Sequence, residues 1–188
     1  EISACLVGSE MCIRDRYYPI NVDLSGVIEM QTDILIQSFL DGVYDERLLD
    51  VYADETRIYY QRERYINAIK KFEQCYKPGD VEIFSAPGRT EICGNHTDHQ
   101  NGEVLAASVN LDTIGIVKKT DDNVIRLVSD NYDEIIIRLD DVSVKEKEKE
   151  TTKALIKGVV SGFLERKYAV GGFQAYITCL LYTSPSPR

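Results

Sequence analysis

The residues best equipped for chemistry stand in one stretch, Gly88-Arg-Thr-Glu-Ile-Cys-Gly-Asn-His-Thr-Asp-His-Gln-Asn-Gly102, which holds both histidines of the chain. A Pro-Gly break leads into Arg89 and Glu91, a glycine follows at 94, and then come Asn95, His96, Asp98 and His99. A carboxylate accepts hydrogen bonds from two neighbouring hydroxyls, while Asn and His both donate and accept. The set therefore suits the alternating polarity of a polyhydroxylated small molecule. Arg89 adds a fixed positive charge a few residues away, as required where phosphate charge develops.

Two other readings compete for the same residues. One is structural, an Asn/Asp/Gly-rich turn between two strands. In the other, His96, Asp98 and His99 are metal ligands, since His-x-Asp-His resembles part of the signature of metallo-β-lactamase-type hydrolases. The count of histidines speaks against it: such a site needs more imidazoles for two metal ions, and the chain has only 2 histidines.

The elements that must position this stretch follow from periodicity. Over residues 33–40, Ile34, Leu35, Ile36, Phe39 and Leu40 recur at helical spacing, with Asp33 placed to cap the first turn. A longer helix is predicted over about residues 55–76, where Ile58, Tyr59, Arg62, Tyr65, Ile66, Ile69 and Phe72 repeat every three or four positions and Lys77-Pro78-Gly79 ends the run. The period then changes to two at Val81, Ile83 and Ser85, with Ala86-Pro87-Gly88 as a break. Short β-branched runs at 112–119, 124–129 and 134–139, separated by turn-forming residues, predict a small meander. The charged run 145–153 reads as a surface loop or helix start. Leu155, Ile156, Val159, Val160, Phe163 and Leu164 give a helix with an apolar face, and Phe173, Ala175 and Ile177 alternate as the last strand.

Composition narrows the function classes. The 188 residues, 44% apolar and 28% charged, suffice for one domain with a core. A net charge of −9 leaves no excess of Lys and Arg to displace counterions from nucleic acid, so no nucleic-acid partner is expected. No apolar run approaches the roughly 20 residues that cross a bilayer, and no membrane partner is expected either. The five cysteines form no Cys-x-x-Cys pair and are odd in number, which suits a reducing cytoplasm better than a disulfide framework.

The two ends are unlike the middle. Residues 11–16, Met-Cys-Ile-Arg-Asp-Arg, can be encoded by ATG TGT ATA AGA GAC AGR, and the reverse complement, shifted by one base, reads Cys-Leu-Leu-Tyr-Thr, which is residues 179–183. Leu-Val-Gly-Ser-Glu at 6–10 and the Ser-Pro-Ser-Pro-Arg tail are related in the same way. One double-stranded element read on opposite strands accounts for both ends, and it resembles a transposon-end sequencing adapter. We expect residues 1–16 and 179–188 to be adapter-derived. The remaining 17–178 keep the charge of −9 but only Cys75 and Cys93.

Ala86-Pro87-Gly88-Arg89, Gly94-x-His96-Thr97-Asp98, and Gly102 followed by Val104-Leu105-Ala106 resemble the galactokinase signature of the GHMP small-molecule kinase superfamily. The resemblance extends more weakly through the meander to Gly172-Phe173-x-Ala-Tyr-Ile177. It implies an α+β fold, the ribosomal protein S5 domain 2-like N-terminal domain of GHMP kinases, incomplete and spanning 80–178, with 17–79 as a helical N-terminal extension. It implies phosphorylation of galactose at the C1 hydroxyl by ATP with Mg²⁺. In that scheme Asn95, His96 and Asp98 bind the sugar, and Arg89 stabilises the transferring phosphoryl group and the catalytic aspartate.

The sequence departs from the family at three places. Asn95 stands where galactokinases usually carry Glu, Glu91 where they carry Asn, and His99 where Tyr is common. The amide at 95 keeps an acceptor oxygen and loses the charge, so a kinase for another sugar is the near alternative and a non-catalytic, kinase-like sugar sensor the more distant one. In the family, the Gly/Ser-rich loop that cradles ATP phosphates follows the strand matching 173–178, and the catalytic aspartate lies further on. The chain is therefore expected to be an N-terminal part that does not turn over alone.

Overall fold

The computed structural model describes residues 22–23, 26–27, 30–94, 101–130, 132–143 and 145–179. The first elements are a small antiparallel ribbon, β1 (Val22–Asp23) and β2 (Gly26–Val27), then β3 (Met30–Gln31), from which the chain enters helix α1 (Thr32–Leu40). Leu35 and Phe39 are its buried side chains among the apolar residues. The helix starts one residue earlier than expected: Asp33 lies in the first turn and accepts the Ile34 N–H at 2.8 Å, while Gln31 holds the cap position.

Helix α2 (Asp45–Tyr52) has no counterpart in the sequence reading. Tyr44, just ahead of it, and Leu48 and Tyr52 within it are buried at four-residue spacing, but so few positions over about two turns do not establish a period in the sequence. A single 3-10 turn, Glu55–Arg57, capped by Asp54 through the Thr56 N–H at 3.0 Å, then leads into α3 (Ile58–Cys75). The α3 helix buries Tyr65, Ile66, Ala68, Ile69 and Phe72 on one side and ends ahead of Lys77-Pro78-Gly79.

The main sheet adds β4 (Asp80–Cys93), β5 (Leu105–Thr120), β6 (Val124–Ser129), β7 (Ile135–Arg138) and β8 (Gly172–Cys179), in the order β3-β4-β5-β8-β6-β7. Two expectations are corrected here. The strand does not break at Ala86-Pro87-Gly88; β4 runs through it with a register shift between Pro87 and Arg89. Nor do β5, β6 and β7 form a meander, because β8 enters between β5 and β6, antiparallel to the first and parallel to the second. The reason is burial. Consecutive residues Ala175 and Tyr176 point to opposite faces and are both buried, so β8 needs cover on both faces and neighbours on both edges.

Helix α4 (Thr152–Glu165) follows a 3-10 turn, Glu146–Glu148, and is capped by Thr151, which accepts the Ala154 N–H at 3.2 Å. The charged run before it is less bland than expected, since Glu148 pairs at 2.6 Å with the buried ammonium of Lys157. Ile156 and Val160 meet the sheet, whereas Leu155, Val159 and Phe163 of the same apolar side stand exposed.

The result is an α+β arrangement with helices on both faces of one sheet. On one face, α1, α2 and α3 share a core with Val81, Ile83, Ile114, Ile116 and Tyr176. On the other, α4 packs over Ile125, Ile137 and Phe173. Among the described residues no helix is long and apolar enough to cross a membrane.

Candidate functional site

Beyond the sheet proper, β4 and β5 continue as a two-stranded ribbon in which Arg89 faces Ser108, Glu91 faces Ala106 and Cys93 faces Leu105. Two register shifts, Pro87/Arg89 and Glu91/Cys93, fall within this short reach. Each bulge adds twist and re-aims the side chains beside it, so the residues between the shifts are turned relative to the regular part of β4. Pro87 is compatible with this place because, among the described residues, β4 pairs at that level with β5 alone, and its missing N–H falls at a bulge.

The structure brings the sequence-predicted residues together only in part. Gly88 is buried in β4, and Arg89 is exposed on the ribbon beside the first bulge. Glu91 is half-buried on the same strand. Asn95, His96, Asp98 and His99 lie outside the described residues. The described residues on either side of them are Gly94 and Asn101. Gly94 has φ +122°, and a Cβ there would stand 2.7 Å from the backbone of both Glu103 and Val104. Only glycine meets both conditions. On the far side, Asn101 takes a left-handed φ of 60°.

Beneath the ribbon lies a buried polar network that the sequence reading missed. Asp112 of β5, with only 2% of its side chain exposed, accepts hydrogen bonds at Oδ2 from the Tyr52 hydroxyl at 2.7 Å and from Ser85 Oγ at 2.5 Å. Arg64 Nη2 stands 2.5 Å from Asp112 Oδ1 and donates to the Asp112 carbonyl at 3.0 Å. Tyr52 and Tyr65 share a hydroxyl contact of 2.9 Å, and Gln61 accepts from Arg64 Nη1 at 3.0 Å. Burial pushes the Tyr65 phenol up to about 12, with the Asp112 charge acting in the same direction, and burial raises Tyr52 as well, helped by Tyr65 and Asp112. Both phenols therefore stay protonated at neutral pH, and Tyr52 donates to Asp112. A lone carboxylate inside an otherwise β-branched strand was the available signal, but its partners sit 27 to 60 residues away in sequence.

A second polar cluster joins α3 to the end of β8. Lys71 Nζ meets Asp130 Oδ1 at 2.7 Å, and the Tyr176 hydroxyl donates to the same oxygen. Burial would raise the Asp130 carboxyl, yet hydrogen bonds from Lys71, Thr178 and Tyr176 outweigh it and hold the group below its ordinary value. Beside this cluster an open cavity of about 200 Å³ is lined by Tyr60, Asn67, Lys71 and Thr178 among others.

Comparison with known proteins places the ribbon in context. The galactokinase galactose-binding signature matches residues 70–119, which span the end of α3, all of β4 and nearly all of β5. The chain is 34% identical over 115 residues to the galactokinase of Clostridium tetani (60% of this chain, 29% of that protein) and 33% identical over 106 residues to that of Fusobacterium nucleatum (55% and 27%). Among solved structures, Lactococcus lactis galactokinase complexed with galactose matches with a TM-score of 0.52 and 30% identity, over 62% of this chain and 30% of that one. The chain thus spans less than a third of the length of the curated relatives it matches. Its α+β sheet is a partial domain of the kind seen in galactokinase, and residues 70–119 carry a galactokinase signature.

Proposed function

We propose that the chain is the N-terminal part of a cytoplasmic galactokinase, an enzyme that moves the γ-phosphoryl group of Mg-ATP to the C1 hydroxyl of galactose. In this reading residues 80–178 form the sugar-binding domain part and residues 17–79 an N-terminal extension, whose helices α1, α2 and α3 pack against the sheet. The observation that carries it is the coincidence of the galactose-binding signature, residues 70–119, with the twice-bulged ribbon and the left-handed Gly94 that follows it. His96 and Asp98 hold sugar hydroxyls, with Asn95 as a neutral third contact. The Asp98 carboxylate takes two hydroxyl protons in hydrogen bonds, and the imidazole and amide fit either polarity. Arg89 supplies positive charge where phosphoryl oxygens gather charge, and its guanidinium stays protonated throughout.

The described residues do not fit a triphosphate. Asp33 stands in the first turn of α1, and Asp45 and Glu46 in that of α2. The α3 helix is entered through Asp54 and Glu55, and the Ala154 N–H in the first turn of α4 is engaged by Thr151. Carboxylates at a helix start repel phosphate, and a capped start has given up a donor. Apart from the positive charge of Arg89, no part in handling ATP is therefore assigned to the described residues.

Asn95 favours a second reading within the same chemistry. Where galactokinases usually have Glu, the neutral amide changes which hydroxyl arrangement is held best, and the substrate becomes a related aldose.

Calorimetric titration of the 188-residue chain with a panel of aldoses tests the sugar grip. We expect saturable binding, tightest for galactose, that Asp98→Ala abolishes. No saturable binding of any aldose overturns the proposal, and tighter binding of another sugar moves it to the second reading. Incubation with galactose, ATP and Mg²⁺ should yield no galactose 1-phosphate; product would refute the division of labour.

A further inference from the structure

A proline in a paired strand removes one donor from the ladder. Pro87 of β4 stands opposite Asp112 of β5, and the Asp112 carbonyl accepts a hydrogen bond from Arg64 of α3 at 3.0 Å. The same guanidinium lies 2.5 Å from the Asp112 carboxylate, with the two side chains 8% and 2% exposed. Ser85, two residues before Pro87 and so on the same face of β4, is tied to the other carboxylate oxygen at 2.5 Å, and Tyr52 of α2 reaches that oxygen at 2.7 Å. The helical layer therefore pins β4 at the last regular positions before the bulge that carries Arg89.

From this we infer that Asp112, clamped by Arg64 and Tyr52, is a positioning residue for the sugar site, which makes the helical layer part of that site; the inference rests on the sugar-binding reading of the ribbon. A bulge leaves the strand local freedom of twist, and Arg89 lies two residues beyond Pro87, roughly 7 Å along the strand. Its direction, and that of the path to Gly94, is set by how firmly the chain is held just before the bulge. Without the clamp, the Asp112 carbonyl and carboxylate become buried and under-satisfied, and the cheapest remedy is for the ribbon to open and admit water.

The test uses hydrogen–deuterium exchange and galactose titration on the 188-residue chain with Arg64→Met, Arg64→Lys, Tyr52→Phe and Asp112→Asn. Ile66→Val, buried on the same helix, serves as the control for general destabilisation. Arg64→Met and Asp112→Asn should speed exchange at residues 89–93 and 105–108 by about tenfold or more over the wild type, with galactose binding weakened about tenfold. Arg64→Lys keeps a charge and donors and should recover part of both losses; Ile66→Val should change neither by more than about twofold. If Arg64→Met does not fold, Tyr52→Phe and Arg64→Lys carry the comparison in the same direction. Unchanged ribbon exchange in the clamp variants, or equal changes in Ile66→Val, overturns the inference. A wild-type chain that binds no galactose refutes the sugar reading instead, and the exchange pattern still decides the clamp.

Discussion

Replacing Phe39 by alanine asks whether the helical layer and the sheet stand or fall together. Phe39 is fully buried in α1, with its ring 4.7 Å from Tyr44 and stacked at 5.2 Å on Tyr65, whose hydroxyl joins the network around Asp112. A Phe→Ala change in such a place costs about 3–5 kcal/mol, as transfer free energy plus the cavity left behind. For a chain of this size 1 kcal/mol moves Tm by about 2–4 °C, so a fall of roughly 6–20 °C is expected. The core that contains Phe39 also contains Val81, Ile83, Ile114, Ile116 and Tyr176 of the sheet, so the loss should be felt there too. Thermal melts by circular dichroism give Tm, and amide exchange at Ile114 and Ile116 reports on the sheet. A single transition shifted by that amount, with faster exchange in β5, is the expected outcome. If the helices melt separately while β5 exchanges as in the wild type, the layer is an independent appendage and the shared-core argument fails.

Other expectations follow from local chemistry. Asp130 is held below its ordinary value by Lys71, Thr178 and Tyr176 against the pull of burial, so its contribution is present above the unfolded value near about 3.9 and is lost as pH falls through the folded value. Asp130→Asn should therefore cost about 1–2 kcal/mol at pH 7, discounted because Lys71 is half in solvent, and urea titrations should show the gap to wild type closing below about pH 4. Gly158 lies inside α4 with open space where a Cβ would go, so Gly158→Ala should stabilise by about 0.5–1 kcal/mol in the same assay. At Gly172 a Cβ would collide with the Asp122 backbone carbonyl oxygen, and Gly172→Ala should destabilise by about 1–3 kcal/mol or more, with exchange rising first in β8.

Much of the architecture was legible in local pattern. The α3 helix was readable because Tyr65, Ile66, Ile69 and Phe72 recur at 3.6-residue spacing and Lys77-Pro78-Gly79 punctuates the end. The α2 helix was not, because it has only 8 residues: Leu48 and Tyr52, with Tyr44 just ahead of them, are too few buried positions to establish a period, and a helix that short depends on packing against α3 and β5. Ala86-Pro87-Gly88 looked like a break since proline and glycine usually punctuate strands; a partner strand and a bulge carried β4 through it.

The sequence by itself determined the chemical inventory: an Arg89, Asn95, His96 and Asp98 set in a glycine-bounded stretch, in an order that resembles galactokinases, which is the ground for the class of ligand proposed. Gly94 is also a local requirement, since its φ of +122° is a property of one residue's sterics. The tertiary structure alone decided that β8 enters between β5 and β6, because strand order depends on which faces must be covered and not on neighbouring residues. It alone joined Tyr52, Arg64, Ser85 and Asp112 beneath the ribbon. Those four have no sequence spacing in common; what selects them is that a buried carboxylate must find donors wherever the fold supplies them.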